Sequence, residues 1–565
     1  MVHHYSEFIT HPIFVRKTET MEVPDEEEDD ASELKDDDLS LDEDDEEETA
    51  EEQAPKMKEI TTHTWEKSNA DQAIWAKSKD DILDEDYQKF YTLISKEDFP
   101  AASWSHFDAE GSINFKSLVY MPSEINAKLR NHDYRNFQSS MKLYVRKVLI
   151  SDDFQLLPQY LSFVNGVIDS DDLPLNVNRE TLQESKIIAI IRKKVTKKVI
   201  DMIKKYAESP LPEKEEKEPE IDDEGNIIES EEDDEPVEHP YIAWANKFGP
   251  SIKMGVVEDT VNRKNLLKLL RYKSSKSGDD VTSLKDYVSR MKDWQKDIYF
   301  IAGTFEDELK ASPFMEKFNE KEVEVLYFTD PSDEYMAGAA QEFDGKKFAA
   351  INKEGIEFDD EDKDLVNRRN AAYKNKLGDL KSFMVKFYTG VIFKVEISKR
   401  LGSVAAIVSA HEYGQTPNME RMMQAQAFSH GKDYLPNPSM SRMKVLEINP
   451  RHPIIEKLSQ EIPKTDDWKP KDLSIELRDS LWTLFDTATL NGGYPLIESK
   501  AFTKRMARNL KMQLGLESLE LLPEIDPQDI DDVPPIPDLE TMGMNMDDFA
   551  EDLDFDEFDA SADEL

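Results

Sequence analysis

Three observations predict a multidomain protein combining α/β and α+β architecture. Period-two alternation runs through 105–151, where HFDAEGSINFKSLVYMP and MKLYVRKVLI read as strands. A β-α-β unit follows at 297–329, with DIYFIAG and VEVLYFT as parallel strands joined by a helix over 306–320. Beyond 383 the spacing turns helical and ends in apolar stripes at 473–490 and 502–510. The first two features place two stacked layered subdomains near 105–200 and 255–355. The last places a helical pair that serves either as core or as a seam between two copies.

In chain order, 5–18 is a short apolar segment that reads as a strand or helix end. Trp65, Ile74 and Trp75, with Tyr87, Phe90, Tyr91 and Ile94, read as an aromatic-rich helical pair. Glu110-Gly111 is the turn of a hairpin, 143–150 is a further strand, and 153–167 returns to a helical pattern. DSDDLPLNVNRETLQESK (169–186) then leads into a helix over 181–202, with Asn178 as its N-cap. Arg179 stands in the first turn, where the helix dipole disfavours a cation by about 0.3–1 kcal/mol. Gln183 shares its face. Two readings are open: a pair of groups aimed at a phosphate, or a local ion pair of Arg179 with Asp171, Asp172 or Glu180. Residues 240–248 and 266–270 read as helical, and 356–380 as a charged helix or hinge. Met419, Met422 and Met423 lie on one predicted helix, either as core or as an adaptable contact surface.

The net charge of −49 is concentrated in three tracts. Residues 25–52 sum to −18, 208–238 to −14 and 517–565 to −19, which leaves a body near +2. The tracts cannot bury enough apolar surface to fold and read as solvated linkers. A near-neutral body argues against nucleic acid as a partner. With no cysteine, disulfides, thiolate metal sites and cysteine nucleophiles are excluded. No apolar run reaches 18 residues, so no membrane insertion is expected. None of the ten histidines has metal-ligand spacing, His411-Glu412-Tyr413 reads as structural, and no complete nucleotide cradle is encoded. Gly492-Gly493 reads as a turn between helices. The acidic tracts lack the spacing of a dedicated calcium loop, which leaves weak Ca²⁺ binding at most. The start, MVHHYSEFITHPIFV, is not a leader peptide, while Asp563, Glu564 and Leu565 resemble an endoplasmic reticulum retention signal. Either a leader precedes this sequence, or the terminal DEL is chance in an acidic tail.

LPLNVNRETLQ (173–183), KLYVRKVLISDDF (142–154), VEDTVNRKNLLKLLRYKSS (257–275), FDGKKF (343–348), NMERMMQAQA (418–427) and EINPRHPIIEKL (447–458) together resemble the heat-shock-protein-90 chaperone family. The likeness is to its lumenal, endoplasmin-like branch, and covers roughly 5–20 and 60–515. It implies the remnant of the end of an ATP domain at 1–20, an acidic linker at 21–58 and a middle domain at 59–355 with an acidic insertion at 208–238. An α+β C-terminal dimerisation domain at 356–516 with a helical dimer seam and an acidic tail at 517–565 would follow. The family's nucleotide domain has no counterpart in this sequence, so ATP and Mg belong to the full-length family member and the chain is expected to be inactive alone, as a fragment or a truncated gene model.

By the same resemblance, Arg179 is similar to the middle-domain arginine that reaches the γ-phosphate, with Asn176 and Gln183 as companions. Phe99, Trp104, Met419, Met422 and Met423 become candidates for client binding. Leu477, Leu481, Leu484, Phe485, Phe502, Met506 and Leu510 map onto the dimer seam. The implied function is a homodimeric chaperone for non-native clients, with co-chaperones, in the endoplasmic reticulum lumen if the leader exists and otherwise in the cytoplasm. The alternative is an acidic calcium-buffering or scaffold protein of that lumen.

Overall fold

The computed structural model describes Phe8, Met440 and residues 11–24, 57–67, 73–111, 113–126, 141–151, 155–173, 186–211, 238–360, 362–430, 442–463, 468–496 and 498–524. Most of the three acidic tracts lies outside them. The chain divides into two compact units, Met1–Ile497 and Glu498–Leu565.

The first unit opens with an antiparallel ribbon, β1 (Phe14–Pro24) against β2 (Met57–Lys67). The threonine-rich alternation of ITTHTW favours extended backbone. Trp65 therefore sits on a strand opposite Arg16 and is exposed, rather than on the helix expected for it. The rest of the aromatic group does pack. Ile74–Ala76 form one 3-10 turn and Asp84–Ser95 form α1. The Phe8 ring meets Trp75 at 4.9 Å, and Phe90 and Tyr144 at 5.9 Å.

A five-stranded sheet follows, built from β3 (Ala101–Ala109), β4 (Phe115–Pro122), β5 (Met141–Val145), β6 (Val148–Ser151) and β7 (Asn165–Asp169) in the order β3-β4-β7-β5-β6. The β3–β4 hairpin forms as expected. The single strand expected at 143–150 is instead the β5–β6 hairpin, turned by Arg146 and Lys147 at positive φ. The helical reading of 153–167 also fails, because its end is β7. A Cβ on Gly166 would lie 2.5 Å from the Leu118 carbonyl, so the two strand backbones are in close contact there. On β4, Leu118 and Tyr120 face the cluster around α1. Val119 and Met121 face α2 (Lys186–Ala207), which packs through Ile188, Ile191, Val195, Val199 and Ile203. That alternation makes the first α-β-α layer.

Next come α3 (Pro240–Glu258), α4 (Arg263–Leu267), β8 (Arg271–Ser274), β9 (Thr282–Ser283) and α5 (Leu284–Arg290). They are followed by β10 (Ile298–Ala302), α6 (Glu306–Lys310), α7 (Glu316–Glu320), β11 (Leu326–Phe328), α8 (Ser332–Ala340), β12 (Glu342–Phe343) and β13 (Lys346–Ala350). The strands form one six-stranded sheet in the order β12-β13-β10-β11-β8-β9, with β10 and β11 parallel as expected. The helix expected over 306–320 is broken in two by Pro313, which has no amide to continue it. Phe300 and Phe328 face one core, Tyr299, Ile301 and Tyr327 the other, which gives the second layer. Lys253 on α3 reaches Asp333 on α8 at 2.7 Å and Asp330 at 3.4 Å. Burial pushes the Asp333 carboxyl up to about 6 despite that ammonium.

The long charged helix α9 (Lys363–Phe387) buries only its last turns, through Leu377, Leu380, Phe383, Met384 and Phe387. Then β14 (Lys394–Ile397), β15 (Ala406–Ala410), α10 (Pro417–His430), β16 (Lys444–Ile448), α11 (Pro453–Glu461) and α12 (Ile475–Asn491) complete the unit. Their three-stranded sheet, ordered β14-β16-β15, supplies the β component expected of the last folded region. The second unit contributes α13 (Ser499–Gln513). The architecture is thus α/β and α+β in separate layers. No described helix is long and apolar enough to cross a membrane.

Candidate functional site

Two regions singled out by the sequence can be built from their residues. At the first, the stretch 174–185 with Asn176, Arg179 and Gln183 lies outside the described residues, but its approach is well defined. Asp169, at the end of β7, accepts from Trp75 Nε1 at 2.9 Å and from the Lys147 amide at 3.3 Å. Ser170 Oγ donates to the Asn114 carbonyl (2.8 Å), and the Asn114 amide donates to Asp172 Oδ2 (2.9 Å). The stretch is therefore entered from a strand end pinned to α1's aromatic cluster and to the β3–β4 turn. It leaves into α2, whose apolar face is in the core.

At the second, α10 carries the methionines. Its base is polar and buried. Glu334 of α8, 4% exposed, accepts from Thr416 Oγ1 at 2.7 Å and from Asn418 Nδ2 at 2.9 Å. Thr416 Oγ1 in turn accepts from the Met419 amide at 3.2 Å, satisfying a donor of the first helical turn. Burial raises the Glu334 carboxyl and lowers the nearby Lys353 ammonium, which donates to the Glu412 carbonyl. One turn on, buried Glu420 pairs with Lys444 of β16 at 2.8 Å, and that ammonium lies 4.2 Å from the Tyr494 ring centroid. Arg421 donates to the Gly493 carbonyl at 2.8 Å.

Gly492 is needed beneath this contact, since a Cβ there would sit 2.1 Å from the Val408 carbonyl, and Gly493 adopts φ +79°. The expected glycine turn thus also brings α12 against β15. A cleft of 480 Å³ opens beside the base, lined by Ile301, Phe314, Asn352, Asn418, Arg421 and Gly492 among others.

The far end of α10 is different. Phe428 is 95% exposed, while Met419, Met422 and Met423 are half-buried. The Met423 thioether accepts from the Gln415 amide, so it is partly committed to the chain's own packing. Phe99 and Trp104 are half-buried against α1's cluster, where Trp104 stacks on Tyr87 at 5.4 Å. The structure therefore does not bring these two together with the methionines in one core cluster.

The seam candidates also divide. Leu481, Leu484 and Phe485 are buried in the core around α9 and the three-stranded sheet, with Leu477 half-buried against it. In the second unit Phe502 is half-buried, while Met506 and Leu510 are exposed. His411 is structural in its contacts, facing Glu354 at 3.1 Å and the edge of Phe393. Among the described residues no group of three or more His, Asp or Glu is arranged to hold a metal. Asp563, Glu564 and Leu565 lie outside the described residues.

Glu334, Thr416 and Phe428 were not singled out in the sequence. Glu334 sits in a stretch of acids and alanines like many exposed helices, and only its depth marks it. Phe428 had a usable signal, a large ring beside the methionine run.

Two layered α-β-α bodies followed by an α+β region with an anchored, methionine-bearing helix define a multidomain assembly of known type. A family model described as Hsp90 protein matches residues 1–532. An endoplasmin homolog of Hordeum vulgare is 40% identical over 526 residues, covering 91% of this chain and 62% of its own length. Endoplasmin homologs of Arabidopsis thaliana (39% over 528 residues, 91% of this chain and 61% of its own) and Catharanthus roseus (39% over 483 residues, 84% and 56%) are similar. The chain belongs to the Hsp90 family, and it spans about three fifths of the length of these relatives.

Proposed function

We propose that this chain is the middle and C-terminal part of a chaperone that binds non-native proteins as a homodimer. The observation that carries the reading is α10: a helix fixed at its base by buried polar contacts that presents a fully exposed phenylalanine and half-exposed methionines to solvent. Such side chains suit many partners because thioethers adapt to irregular apolar surfaces at little cost in specificity. Phe99 and Trp104 offer a second apolar surface. The exposed Met506 and Leu510 of α13, with Phe502, are the seam residues best placed for a second copy. Leu477, Leu481, Leu484 and Phe485 of α12 are instead engaged in the first unit's own core.

The test is suppression of aggregation of a thermally unfolded client protein. Phe428→Ser with Met422→Ser is expected to weaken suppression about tenfold, as loss of a few apolar contacts worth about 1.4 kcal/mol in total would. Phe428→Ser alone should leave the unfolding midpoint unchanged, because that ring is 95% exposed. Met422 is half-buried with the Asn418 amide 3.8 Å from its sulfur, so the double variant is assayed well below its own midpoint. Undiminished suppression would reject this helix as the client surface.

Arg179, with Asn176 and Gln183, is the part of the proposal directed at ATP. A cation at a helix start stabilises charge developing on a transferred phosphoryl group, and Mg²⁺ would accompany the nucleotide. The pinned approach through Asp169 and Asp172 fixes the point from which that stretch departs. In this reading the nucleotide is held by a domain of the family that this chain does not resemble, and the chain alone is expected to show no ATP turnover above background. Hydrolysis by the chain alone that Arg179→Ala abolishes would overturn that division of labour. The endoplasmin homologues and the terminal DEL support the endoplasmic reticulum lumen as its location, with co-chaperones as further partners. Calcium binding by the acidic tracts remains a secondary role, testable by calorimetry on tract deletions.

A further inference from the structure

Helix α2 carries eight basic residues and one acid, Asp201, a net of +7 within 22 residues of a body that is otherwise near neutral. Its buried stripe turns Lys186, Lys193, Lys197 and Lys204 to solvent along one face, with Lys198 and Lys205 beside them. Lys194 and Lys198 lie 5.8 and 5.6 Å from the Phe115 and Phe107 ring centroids. Among the described residues only Lys204 of this helix has a carboxylate within reach, Glu208 at 3.8 Å. Like charges four residues apart, as at 193 and 197 or 194 and 198, repel one another on an isolated helix. A surface of this kind calls for a polyanion.

The chain itself carries one at the end of the helix. Residues 212–237, outside the described residues, hold 14 acids and two lysines. The two ends of the insertion are held together: a ring nitrogen of His239 meets the Ser209 carbonyl at 2.8 Å, just beyond the C-terminus of α2. A segment of that length spans roughly 90 Å when extended, so its out-and-back reach is roughly 45 Å. The helix rises roughly 33 Å. The insertion is thus long enough to cover the whole basic face, opposite to it in charge, and tethered where its local concentration is in the millimolar range.

We propose that the basic face of α2 is the docking surface for the chain's own acidic insertion, 212–237. The insertion supplies the counter-charge for the exposed lysines of a helix that carries a single acid of its own.

The experiment compares the full chain with a variant in which 212–237 is replaced by a glycine-serine segment of equal length, using heparin as the polyanion probe. Opening the face is expected to raise heparin affinity at least about tenfold at low salt, since a tethered competitor is removed. Adding Lys193→Gln, Lys197→Gln and Lys204→Gln to the replaced chain should abolish that gain. These three positions are exposed, so circular dichroism should be unchanged. In the full chain, carbodiimide coupling at low salt should join Lys193, Lys197 or Lys204 to carboxylates of 213–235, and 0.5 M-scale salt (on the order of a 3–5 Å Debye length) should suppress it. Equal heparin affinity of the two chains, gain that survives the lysine substitutions, or couplings to 25–52 or 517–565 instead would each overturn the proposal.

Discussion

Arg400→Met is expected to destabilise the first unit by about 3–5 kcal/mol, the cost of stranding one member of a buried ion pair. Arg400 and Glu447 are each 6% exposed. The guanidinium donates to both carboxylate oxygens of Glu447, through Nη2 and through Nε at 3.2 Å. Its other terminal nitrogen donates to the Ile351 carbonyl, and its plane lies over the Phe314 ring at 4.9 Å. It therefore joins the six-stranded sheet to the three-stranded one.

Glu447 also accepts from Ser398 Oγ (2.9 Å) and Ser409 Oγ (2.7 Å). Methionine fills most of the volume but leaves the carboxylate in a dry core with only two hydroxyls. In the wild type, Arg400 and the hydroxyls hold the Glu447 carboxyl below its ordinary value even though burial alone would raise it. A depressed folded-state value means the contribution is present at neutral pH and lost as pH falls through that value. Urea unfolding at pH 7 should show the deficit, and the gap to wild type should narrow in acid. A deficit below about 1 kcal/mol at pH 7 would mean the pair is solvated in solution, in the range of exposed pairs.

Glu334→Ala is expected to cost about 2–5 kcal/mol and to loosen α10. Removal of the carboxylate leaves the buried Thr416 hydroxyl without its acceptor and the half-buried Asn418 amide with only the Met422 thioether at 3.8 Å. The cost is about 1–3 kcal/mol for a buried donor and less for a half-buried one, besides the cavity left in the base. Hydrogen exchange over 417–430 should rise while exchange in β10 and β11 stays unchanged. Uniform loss of protection across both layers would show that the junction is global rather than local.

The wild type should carry its own pH signature. Burial raises the Glu334 carboxyl above its ordinary value. Its contribution is therefore fully present below the unfolded value and declines as pH rises through the folded one. Lys353 faces it, and burial disfavours that ammonium as well, so the two charges moderate each other. The protection of α10 should fall as pH rises from the acid side, and Glu334→Ala should lack that slope. Because α10 is the proposed client surface, the same variant should change client affinity without touching Phe428 or the methionines.

Much of this is legible in the sequence alone. The β3–β4 hairpin, the parallel β10–β11 pair, the buried stripe of α2 and the helix of α12 all follow from periodicity, because each buries one face and that face recurs at a fixed spacing. The misreadings share a cause as well. In 153–167 and at Trp65, short apolar or aromatic runs carry no period long enough to separate helix from strand, and the neighbouring strand decided. At 306–320 the pattern was helical, but one proline outweighed it.

The chain's membership in its family, its layered class, its three acidic tracts and the basic helix beside one of them are properties of residue order, composition and local spacing. They need no long-range contact to be read. The status of individual polar residues needs exactly such contacts. Glu447 and Glu334 look like surface carboxylates in the sequence, yet they lie in the dry interior because β15 and β16 on one side, and α8 against α10 on the other, close over them. The split of the seam residues into core and exposed sets has the same origin. Periodicity marks which side of a helix is apolar, but what covers that side is set by the elements that pack against it from elsewhere in the chain.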